Sequence, residues 1–312
     1  MLRQLGGNLM LEQKEIVRYG LEQATFMIPL RIESADRMRN IITTLIYLCR
    51  NFKTNILVYE LDQESIFKSA VIPQLEQALL PEEMAMIHHY FEQSDEYTFH
   101  RTRLLNEMTL MCRTPVVVNY DSDILLPQLS YIKAVDYILN GYFSEEGGKA
   151  EPVKCVYPYG YGEYQIQCTP TDESVSAFIN SNFNYDAFEG QCKRWDAKYG
   201  FCQFFDREEY IRLGMENENF VSYGYEDDER YMRFNSLSNT IRYNADIMHL
   251  EHTRTSNSWF TNPHIEKNRA LWEKLRVMSK GNLAEYYDNV EYAKARRQEA
   301  LDNGQEQSST EA

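Results

Sequence analysis

Two carboxylates one residue apart, Asp121 and Asp123, directly follow an apolar run of β-branched residues at 116–118. The run predicts a buried central strand, which is apolar on both faces because helices cover it. Both aspartates would then lie at the carboxyl end of that strand, where open α/β sheets have their ligand crevices. Carboxylates this close repel each other unless a cation lies beside them, so the stretch predicts a divalent metal site for an anionic ligand. A simple turn explains the stretch equally well, because Asp and Ser also end strands.

Two further clusters contain side chains suited to the same chemistry. Residues 226–229 are four consecutive carboxylates at the start of a predicted helix, and they follow Gly224. One of them, removed from water, can serve as a general base, although acidic residues also stabilise a helix N-terminus. His249 and His252 follow a predicted strand and can reach one cation, and imidazole suits Mn²⁺ or Zn²⁺. Alone, this histidine spacing does not identify a metal site.

Positive charge for a diphosphate is available from four arginines near the first strand and in the helix before the aspartates: Arg31, Arg37, Arg101 and Arg103. Guanidinium groups match phosphate geometry, but each arginine taken singly is also explained as a surface charge. The tyrosine-rich loop 157–164 has two interpretations, a sugar-binding platform or a hydrophobic cover over the core. His88 and His89 are adjacent on a predicted helix, where neighbouring side chains point apart, so they make a poor metal clamp.

The periodicity of apolar residues predicts the elements that carry these side chains. Strands are expected at residues 25–30, 55–60, 115–119, 153–157, 199–205, 241–243 and 247–250. Helices are expected after a Ser34 cap, at 66–93 with a break at Pro81, and at 99–112, 129–142, 207–213, 226–237, 264–278 and 283–300, with one or two more within 171–198. Strand, helix and strand over residues 25–60 form a βαβ unit, so the sheet begins parallel.

One α/β domain is expected at 25–262, between a polar lead-in at 1–24 and a helical extension at 263–300, with a tail of disordered composition at 301–312. The formal net charge of −15 argues against a general nucleic-acid or anionic-membrane surface, so local basic residues or a metal must meet any anionic substrate. Six cysteines without a CxxC pair favour reduced thiols. The N-terminal segment lacks a long apolar core, which predicts a soluble, cytoplasmic protein without signal peptide or membrane anchor.

Taken in chain order, the motifs resemble those of the GT-A glycosyltransferases. The matching elements are Pro29-Leu30-Arg31, Phe99-His100-Arg101, Asp121-Ser122-Asp123, residues 224–229, and the pair His249 and His252. The likeness covers roughly residues 25–262 and is to the β-1,4-galactosyltransferases and the related bacterial galactosyl- and N-acetylgalactosaminyltransferases of polysaccharide synthesis. It implies a Rossmann-like mixed sheet of the GT-A fold flanked by helices, with a helical C-terminal extension.

The resemblance also implies a role for each matching residue. The Mn²⁺ ligands would be Asp123, His249 and His252. The donor site would contain Pro29, Arg31, Phe99, Arg101 and Asp121. Asp227 would be the catalytic base, and the acceptor site would contain Tyr223, Glu226 and Asp228. Tyr223 stands where the family often has a tryptophan, and Tyr225 replaces a small residue; both departures concern the acceptor.

The implied activity is an inverting, metal-dependent transfer of a hexose, galactose or N-acetylgalactosamine, from a UDP-sugar to a hydroxyl of a glycan or glycolipid. An inverting enzyme needs one base opposite the leaving group, and the metal replaces the acid by neutralising the departing diphosphate. No nucleic-acid partner and no transmembrane segment are expected, and peripheral membrane contact stays open. Two alternatives are a metal-dependent phosphoesterase, which normally needs a two-metal site, and a non-catalytic nucleotide- or sugar-binding module.

Overall fold

The computed structural model describes residues 18–142 and 150–310, in which helices flank a central β-sheet. The strands are β1 (Tyr19–Leu30), β2 (Phe52–Asp62), β3 (Ile87–Gln93), β4 (Val116–Tyr120), β5 (Ile124–Leu125), β6 (Cys155–Tyr157), β7 (Gly162–Cys168), β8 (Cys192–Ala197), β9 (Cys202–Asp206), β10 (Thr240–Arg242) and β11 (Ile247–Leu250). The α-helices are α1 (Ala35–Asn51), α2 (Ile72–Ala78), α3 (Pro81–Met84), α4 (Arg101–Met111), α5 (Gln128–Asn140), α6 (Asp172–Asn180), α7 (Arg207–Arg212), α8 (Glu226–Leu237), α9 (Ile265–Leu275), α10 (Lys280–Asn289) and α11 (Glu291–Thr310).

The central sheet has seven strands in the order β10-β6-β9-β4-β1-β2-β3. Its half from β4 to β3 is parallel, whereas β9 runs antiparallel to both β4 and β6. The predicted βαβ unit is confirmed, because β1 and β2 pair in parallel and α1 connects them. The predicted cap is confirmed as well, since the Ser34 hydroxyl accepts a hydrogen bond from the Arg37 N–H at the start of α1.

Strand β4 lies at the centre of this sheet, and all of its residues are buried. Helix α5 packs on β4, and both α4 and α5 pack on the neighbouring β1. This confirms the buried strand predicted from the apolar run at 116–118. Strand β4 ends at Tyr120, so Asp121 and Asp123 lie at the carboxyl end of a central strand, as expected.

A second sheet, in the order β5-β11-β7-β8, joins the segment after β4 to residues much later in the chain. Strand β11 runs antiparallel to β5, with His249 opposite Ile124, and parallel to β7. The Leu250 N–H donates to the Asp123 carbonyl at 2.8 Å. This backbone pairing brings the two predicted metal-binding motifs side by side.

Two helix predictions are wrong. Residues 87–93, which contain His88 and His89, form the edge strand β3, paired with β2 along its whole length, and not the end of a helix. Trp195 lies on β8, an edge strand paired with β7, and not near the end of a helix. Both segments contain few β-branched residues and several charged or polar ones, so backbone pairing to an adjacent strand decides their conformation. His89 instead contacts Glu60 at 3.0 Å.

Both ends of the described chain also differ from expectation. Strand β1 begins at Tyr19, inside the predicted lead-in, and residues 1–17 lie outside the described part. The helix predicted over 283–300 is two helices, α10 and α11, which meet at an extended Val290. Helix α10 packs on α8, whereas α11 packs on α4 and α7, so the chain must change direction there. Helix α11 continues to Thr310, through most of the segment whose composition predicts disorder.

The C-terminal helices pack on the α/β domain through polar contacts. The Tyr287 hydroxyl donates to Glu229 of α8, and the Arg296 guanidinium donates to Glu218 at 2.7 Å. All six cysteines are free thiols, as predicted, and five of them are buried. Among the helices of residues 18–142 and 150–310, none combines the length and apolar character needed to cross a bilayer.

Candidate active site

The three predicted metal ligands converge in space. The Nε2 atoms of His249 and His252 lie 3.7 and 3.2 Å from the carboxylate oxygens of Asp123, and one ligand atom from each residue lies within 4.8 Å of the others. Asp123 and His249 are buried, and His252 is half-buried. One carboxylate and two imidazoles on neighbouring strand ends form a donor set that suits a borderline divalent ion.

Outer contacts orient both imidazoles toward Asp123. His249 Nδ1 contacts Glu251 Oε1 at 2.8 Å, and His252 Nδ1 contacts the Thr253 carbonyl at 2.9 Å, so each Nε2 faces the carboxylate. The Thr253 N–H and hydroxyl both donate to Asp36 Oδ2, at 2.6 and 2.9 Å, which ties this loop to the start of α1. Such partners fix the ring orientation and raise the basicity of a histidine ligand. The donor set therefore fits a metal ion.

The charge balance at this cluster favours an ionised carboxylate. Burial opposes ionisation of Asp123, but the positive charges of His249, His252 and Arg37 outweigh it and hold the pKa of this carboxyl well below its usual value. Burial lowers the pKa of His249, yet the carboxylates of Asp123 and Glu251 outweigh burial and raise it. The carboxylate is therefore ready to bind a cation, which would displace the histidine protons.

Asp121 belongs to a different part of the site. Its carboxylate accepts a hydrogen bond from Arg101 at 2.7 Å, and its N–H donates to the Phe201 carbonyl at 2.9 Å. Burial raises the pKa of Asp121, with the charges of Asp123 and Asp227 adding to the effect and Arg101 opposing it. Burial lowers the pKa of the Arg101 guanidinium, but the charges of Asp121 and Asp227 outweigh burial and raise it, so both carboxylates act on one cation.

Asp227 is held in the first turn of α8, after Gly224 and Tyr225, which both have positive φ. Its Oδ1 accepts a hydrogen bond from Arg230 Nη2 at 2.5 Å. The same nitrogen donates to the Tyr199 carbonyl at 3.2 Å, and Arg230 Nη1 donates to Glu216 Oε2 at 2.9 Å. Both side chains of the Arg230–Glu216 pair are fully buried. A buried arginine thus fixes one oxygen of the carboxylate.

The second oxygen of Asp227 faces Gly200. A Cβ atom at Gly200 would lie 2.9 Å from Asp227 Oδ2, closer than real Cβ contacts allow unless one of the groups shifts. The Tyr159 hydroxyl donates to the Gly200 carbonyl and holds this glycine in place. Only glycine at position 200 leaves Oδ2 free on that side, and Oδ2 is therefore the oxygen that can accept a proton.

The acids on either side of Asp227 are shifted toward their protonated forms. Burial, together with the charge of Asp227, raises the pKa of Glu226 to about 8, and the Glu226 carboxyl accepts a hydrogen bond from the Gly224 N–H at 2.6 Å. Burial and the charge of Asp227 also raise the pKa of Asp228, while Lys198 opposes the shift. A neutral Glu226 can donate a hydrogen bond to a substrate hydroxyl, which an ionised one cannot.

The side chains of the remaining predicted residues contact other groups around this centre. Arg31 donates to the carbonyls of Leu61, Tyr97 and Glu96, at 2.8, 2.7 and 3.2 Å, and its guanidinium lies over the Phe99 ring. Arg31 therefore ties the ends of β1 and β2 to the loop before α4. Pro29 is buried in β1 opposite Tyr59.

Two other arginines and Tyr223 also have defined partners. Arg103 forms ion pairs with Glu92 and Glu107, so these two acids balance its charge and the carboxylates of the site do not. Arg37, by contrast, contributes its charge to Asp123. The Tyr223 ring lies edge-on to Phe260 at 5.3 Å, and burial with the charges of Glu226 and Asp227 raises the pKa of its hydroxyl to about 12.

Sequence reasoning missed five residues that orient the predicted ones: Arg230, Glu216, Gly200, Glu251 and Asp36. Arg230 follows Asp227 by three residues on one helix, a spacing that could have indicated the pair. Glu216, Gly200 and Asp36 carry no local signal, because each reaches the site through tertiary contacts alone.

No family model matches the sequence, and no curated protein matches it. Solved structures do match. The structure of GalNAc-T7 with UDP, GalNAc and Mn²⁺ is similar over 93% of this chain and 55% of that chain, at 10% identity and a TM-score of 0.52, so this chain spans about half its length. The catalytic domain of Drosophila β1,4-galactosyltransferase 7 matches over 84% and 82% of the two chains, at 13% identity and a TM-score of 0.42.

A mannosyltransferase from Pyrobaculum calidifontis, solved with GDP-Man and Mn²⁺, matches over 90% of this chain and 73% of that chain, at 15% identity and a TM-score of 0.45. At these identities the likeness concerns the fold alone, and the match to GalNAc-T7 carries it. The mixed sheet flanked by helices is the GT-A architecture, which confirms the expected fold class.

Proposed function

We propose that this protein is an inverting, divalent-metal-dependent glycosyltransferase that moves a hexose from a UDP-sugar to a hydroxyl of a glycan acceptor. The observation that carries the proposal is the convergence of a carboxylate–imidazole cluster and a separate, arginine-held carboxylate at one edge of the sheet. Asp123, His249 and His252 supply the first, and Asp227 the second. Arg101 contacts Asp121 next to the first of these groups, and the charge of Asp227 acts on its guanidinium.

Asp123, His249 and His252 would hold the divalent cation, for which Mn²⁺ is our choice. When bound, such a cation neutralises the negative charge of the departing diphosphate. Arg101 and Arg37 add positive charge on the same side, which an acidic chain of net charge −15 needs to admit an anionic donor. Pro29, Arg31, Phe99 and Asp121 would complete the donor site.

Asp227 would accept the proton of the acceptor hydroxyl through Oδ2 while Arg230 holds Oδ1. Such a base typically contributes about 10²–10⁴-fold to the rate. Glu226, Asp228 and Tyr223 border Asp227 and would orient the acceptor. A base on the side opposite the leaving group makes the transfer inverting.

The resemblance in sequence points to galactose or N-acetylgalactosamine as the hexose and to polysaccharide synthesis as the setting. The GalNAc-T7 structure was solved with UDP, GalNAc and Mn²⁺, in agreement with a UDP-sugar and a metal. The acceptor would be a glycan or a glycolipid.

The phosphoesterase alternative is the weaker interpretation of this site. Over residues 18–142 and 150–310, one group of His, Cys, Asp or Glu side chains has metal-binding spacing, and it contains three ligands. A two-metal site would need more. A phosphoesterase would also leave Asp227 and its arginine without a role. Products separate the two interpretations, because a transferase releases UDP whereas a phosphoesterase releases UMP or phosphate.

Titration of the protein with UDP, with and without MnCl₂, tests the donor site by thermal shift. We expect stabilisation only when both are present, about 2.7 kcal/mol at a hundredfold excess over Kd. Asp227→Asn should lower turnover of the best UDP-sugar about 10²–10⁴-fold while UDP binding is kept. Glu173→Gln is the matched control, since Glu173 is also a carboxylate in the first turn of a helix, α6. Absence of Mn²⁺-dependent UDP binding, or full activity in Asp227→Asn, would contradict the proposal.

A further inference from the structure

We propose that the edge strand β3 pairs with the same strand of a second copy of the chain, antiparallel across a two-fold axis at Tyr90. The pairing would join the central sheets of two chains into one sheet, and it does not depend on the proposed function. Three features of β3 support it: an open row of backbone groups, the lack of the devices that protect edge strands, and a self-complementary order of side chains.

The outer side of β3 carries backbone groups that can accept another strand. It is the last strand of the central sheet, and within the described ranges of the chain β2 is the strand that pairs with it. The Ser94 N–H donates to the Asp62 carbonyl, and the Met86 carbonyl accepts from the Ile56 N–H, so even-numbered residues direct their backbone groups to β2. Because these groups alternate in direction along a strand, the odd-numbered residues of 87–93 direct theirs away from β2.

The sequence of β3 lacks the features that usually prevent edge strands from pairing. Proteins protect such edges with Lys or Pro residues, with bulges, or by keeping the strand very short. Strand β3 contains neither Lys nor Pro, and it pairs with β2 over all seven residues in an unbroken register. Each of its residues is at least partly exposed, and Tyr90 is 46% exposed. A regular and exposed edge of this length is a template for another strand.

One register of the proposed pair uses the whole strand and all of the outward backbone groups. An antiparallel pair centred on Tyr90 sets Ile87 opposite Gln93 of the second copy, and His89 opposite Phe91. These four are the odd-numbered residues, whose N–H and carbonyl groups point outward. Across the two-fold axis they would form four hydrogen-bonded residue pairs with about eight backbone hydrogen bonds. The direction of the backbone groups is therefore compatible with this register.

The even-numbered side chains complement one another in the same register. His88 would lie opposite Glu92 of the second copy, in a pair whose side chains approach closely. Arg103 contacts Glu92 and one further carboxylate, so two acids share one guanidinium and negative charge remains to attract an imidazole N–H. The two Tyr90 rings would meet at the axis, each packed on its own Tyr59 at 4.7 Å. Because every contact occurs twice about the axis, the assembly closes as a dimer.

Sedimentation equilibrium of the full chain at micromolar concentrations tests the dimer. We expect the wild type to be dimeric and Tyr90→Lys to raise the dimer dissociation constant at least about tenfold, because two like charges would then face each other at the axis. Tyr19→Lys is the matched control, since Tyr19 is a strand tyrosine of similar exposure, 43%, but lies on β1 in the interior of the sheet. It should remain dimeric.

Disulfide cross-linking tests the register. In the proposed pair the two residues at position 90 have Cα atoms about 4.5 Å apart, within the range that a disulfide spans. Oxidised glutathione should therefore cross-link Tyr90→Cys into a covalent dimer: one S–S bond forms between the two thiols, and the glutathione disulfide is reduced to two thiols. His88→Cys should stay uncross-linked, because four residues of offset separate its two copies by about 13 Å. The wild type reports the background from the native thiols, five of which are buried.

Three results would overturn the proposal. They are a monomeric wild type, which would leave β3 to water or to another segment such as residues 1–17, equal association of Tyr90→Lys and Tyr19→Lys, and equal cross-linking of Tyr90→Cys and His88→Cys. Antiparallel pairing of β3 would put the carboxyl ends of the two sets of parallel strands at opposite edges of the joined sheet, so neither candidate active site is covered. Tyr90→Lys should therefore keep the UDP release of the wild type, and dimerisation is measured separately from activity.

Discussion

Arg230 offers the sharpest test of how the proposed base is positioned. Its Nη2 contacts Asp227 Oδ1 at 2.5 Å, its Nη1 contacts Glu216 at 2.9 Å, and its side chain is fully buried. In Arg230→Met the chain length is nearly kept, but Glu216 becomes a buried charge without its partner. Breaking a buried pair in this way costs about 3–5 kcal/mol of folding free energy. Asp227 also loses the group that orients it, and a displacement of about 1 Å can cost about 10²-fold in rate.

Arg233→Met is a control for the loss of stability. Arg233 lies on the same helix, is equally buried and pairs with Glu229 at 2.9 Å, but its hydrogen bonds go to Glu229 and the Leu213 carbonyl and not to Asp227. Both variants should lose similar stability in urea unfolding, whereas only Arg230→Met should lose kcat. UDP release would be assayed at a temperature at which both variants are folded.

A second substitution separates stability from positioning. Glu216→Gln added to Arg230→Met removes the unpaired charge, so stability should largely return while kcat stays low. The carbonyl oxygen of the introduced amide, like the native carboxylate, can accept the hydrogen bonds that Asn119 and Tyr210 donate to Glu216. Equal losses of kcat in the two arginine variants, or normal kcat in Arg230→Met, would refute the positioning role.

Three further predictions concern the surroundings of the site. Glu251→Gln should weaken Mn²⁺ binding about 10- to 100-fold in calorimetric titration, because the group that orients His249 loses its charge; unchanged affinity would contradict this. The pKa of Glu226 is raised to about 8 in the folded state, so the folded protein binds a proton more tightly than the unfolded chain. The free energy of unfolding of the wild type should therefore fall between about pH 4.5 and 8, by up to about 1.4 kcal/mol per pH unit relative to Glu226→Gln. Urea unfolding at several pH values measures this, and parallel stability–pH curves for the two proteins would exclude the shift. Gly200→Ala should lower kcat about 10²-fold with UDP binding kept, because the new Cβ displaces Asp227; normal kcat would show that the carboxylate tolerates the contact.

Much of the parallel half of the fold could be predicted from the sequence, because the pattern that predicts each strand lies in neighbouring residues. An apolar β-branched run such as 116–118 excludes water from both faces wherever it is placed, so β4 is recognisable as a central strand. A serine directly before a predicted helix is expected to cap its N-terminus, and the Ser34 hydroxyl does so in α1. The carboxylates after β4 were predicted to lie at a ligand crevice because they follow a buried strand. Their union with His249 and His252 in one metal site came from the resemblance to the GT-A glycosyltransferases.

Two edge strands, β3 and β8, could not be predicted in this way. Strand β3 carries two histidines and two acids or amides, and β8 exposes a lysine, an arginine and a tryptophan, so neither has a pattern that separates it from a polar helix. Each is a strand because an adjacent strand offers unpaired backbone groups, and those groups come from distant residues.

The sequence by itself determined which chemical groups are present: the acids of residues 121–123 and 226–229, the two histidines, and the order in which they occur. Only the tertiary structure decided how they are used. The β5–β11 pairing joins His249 to Asp123, Arg230 holds one oxygen of Asp227, and Gly200 leaves the other free. The reason is that charge and propensity belong to each residue, whereas orientation and burial belong to contacts between residues far apart in the chain.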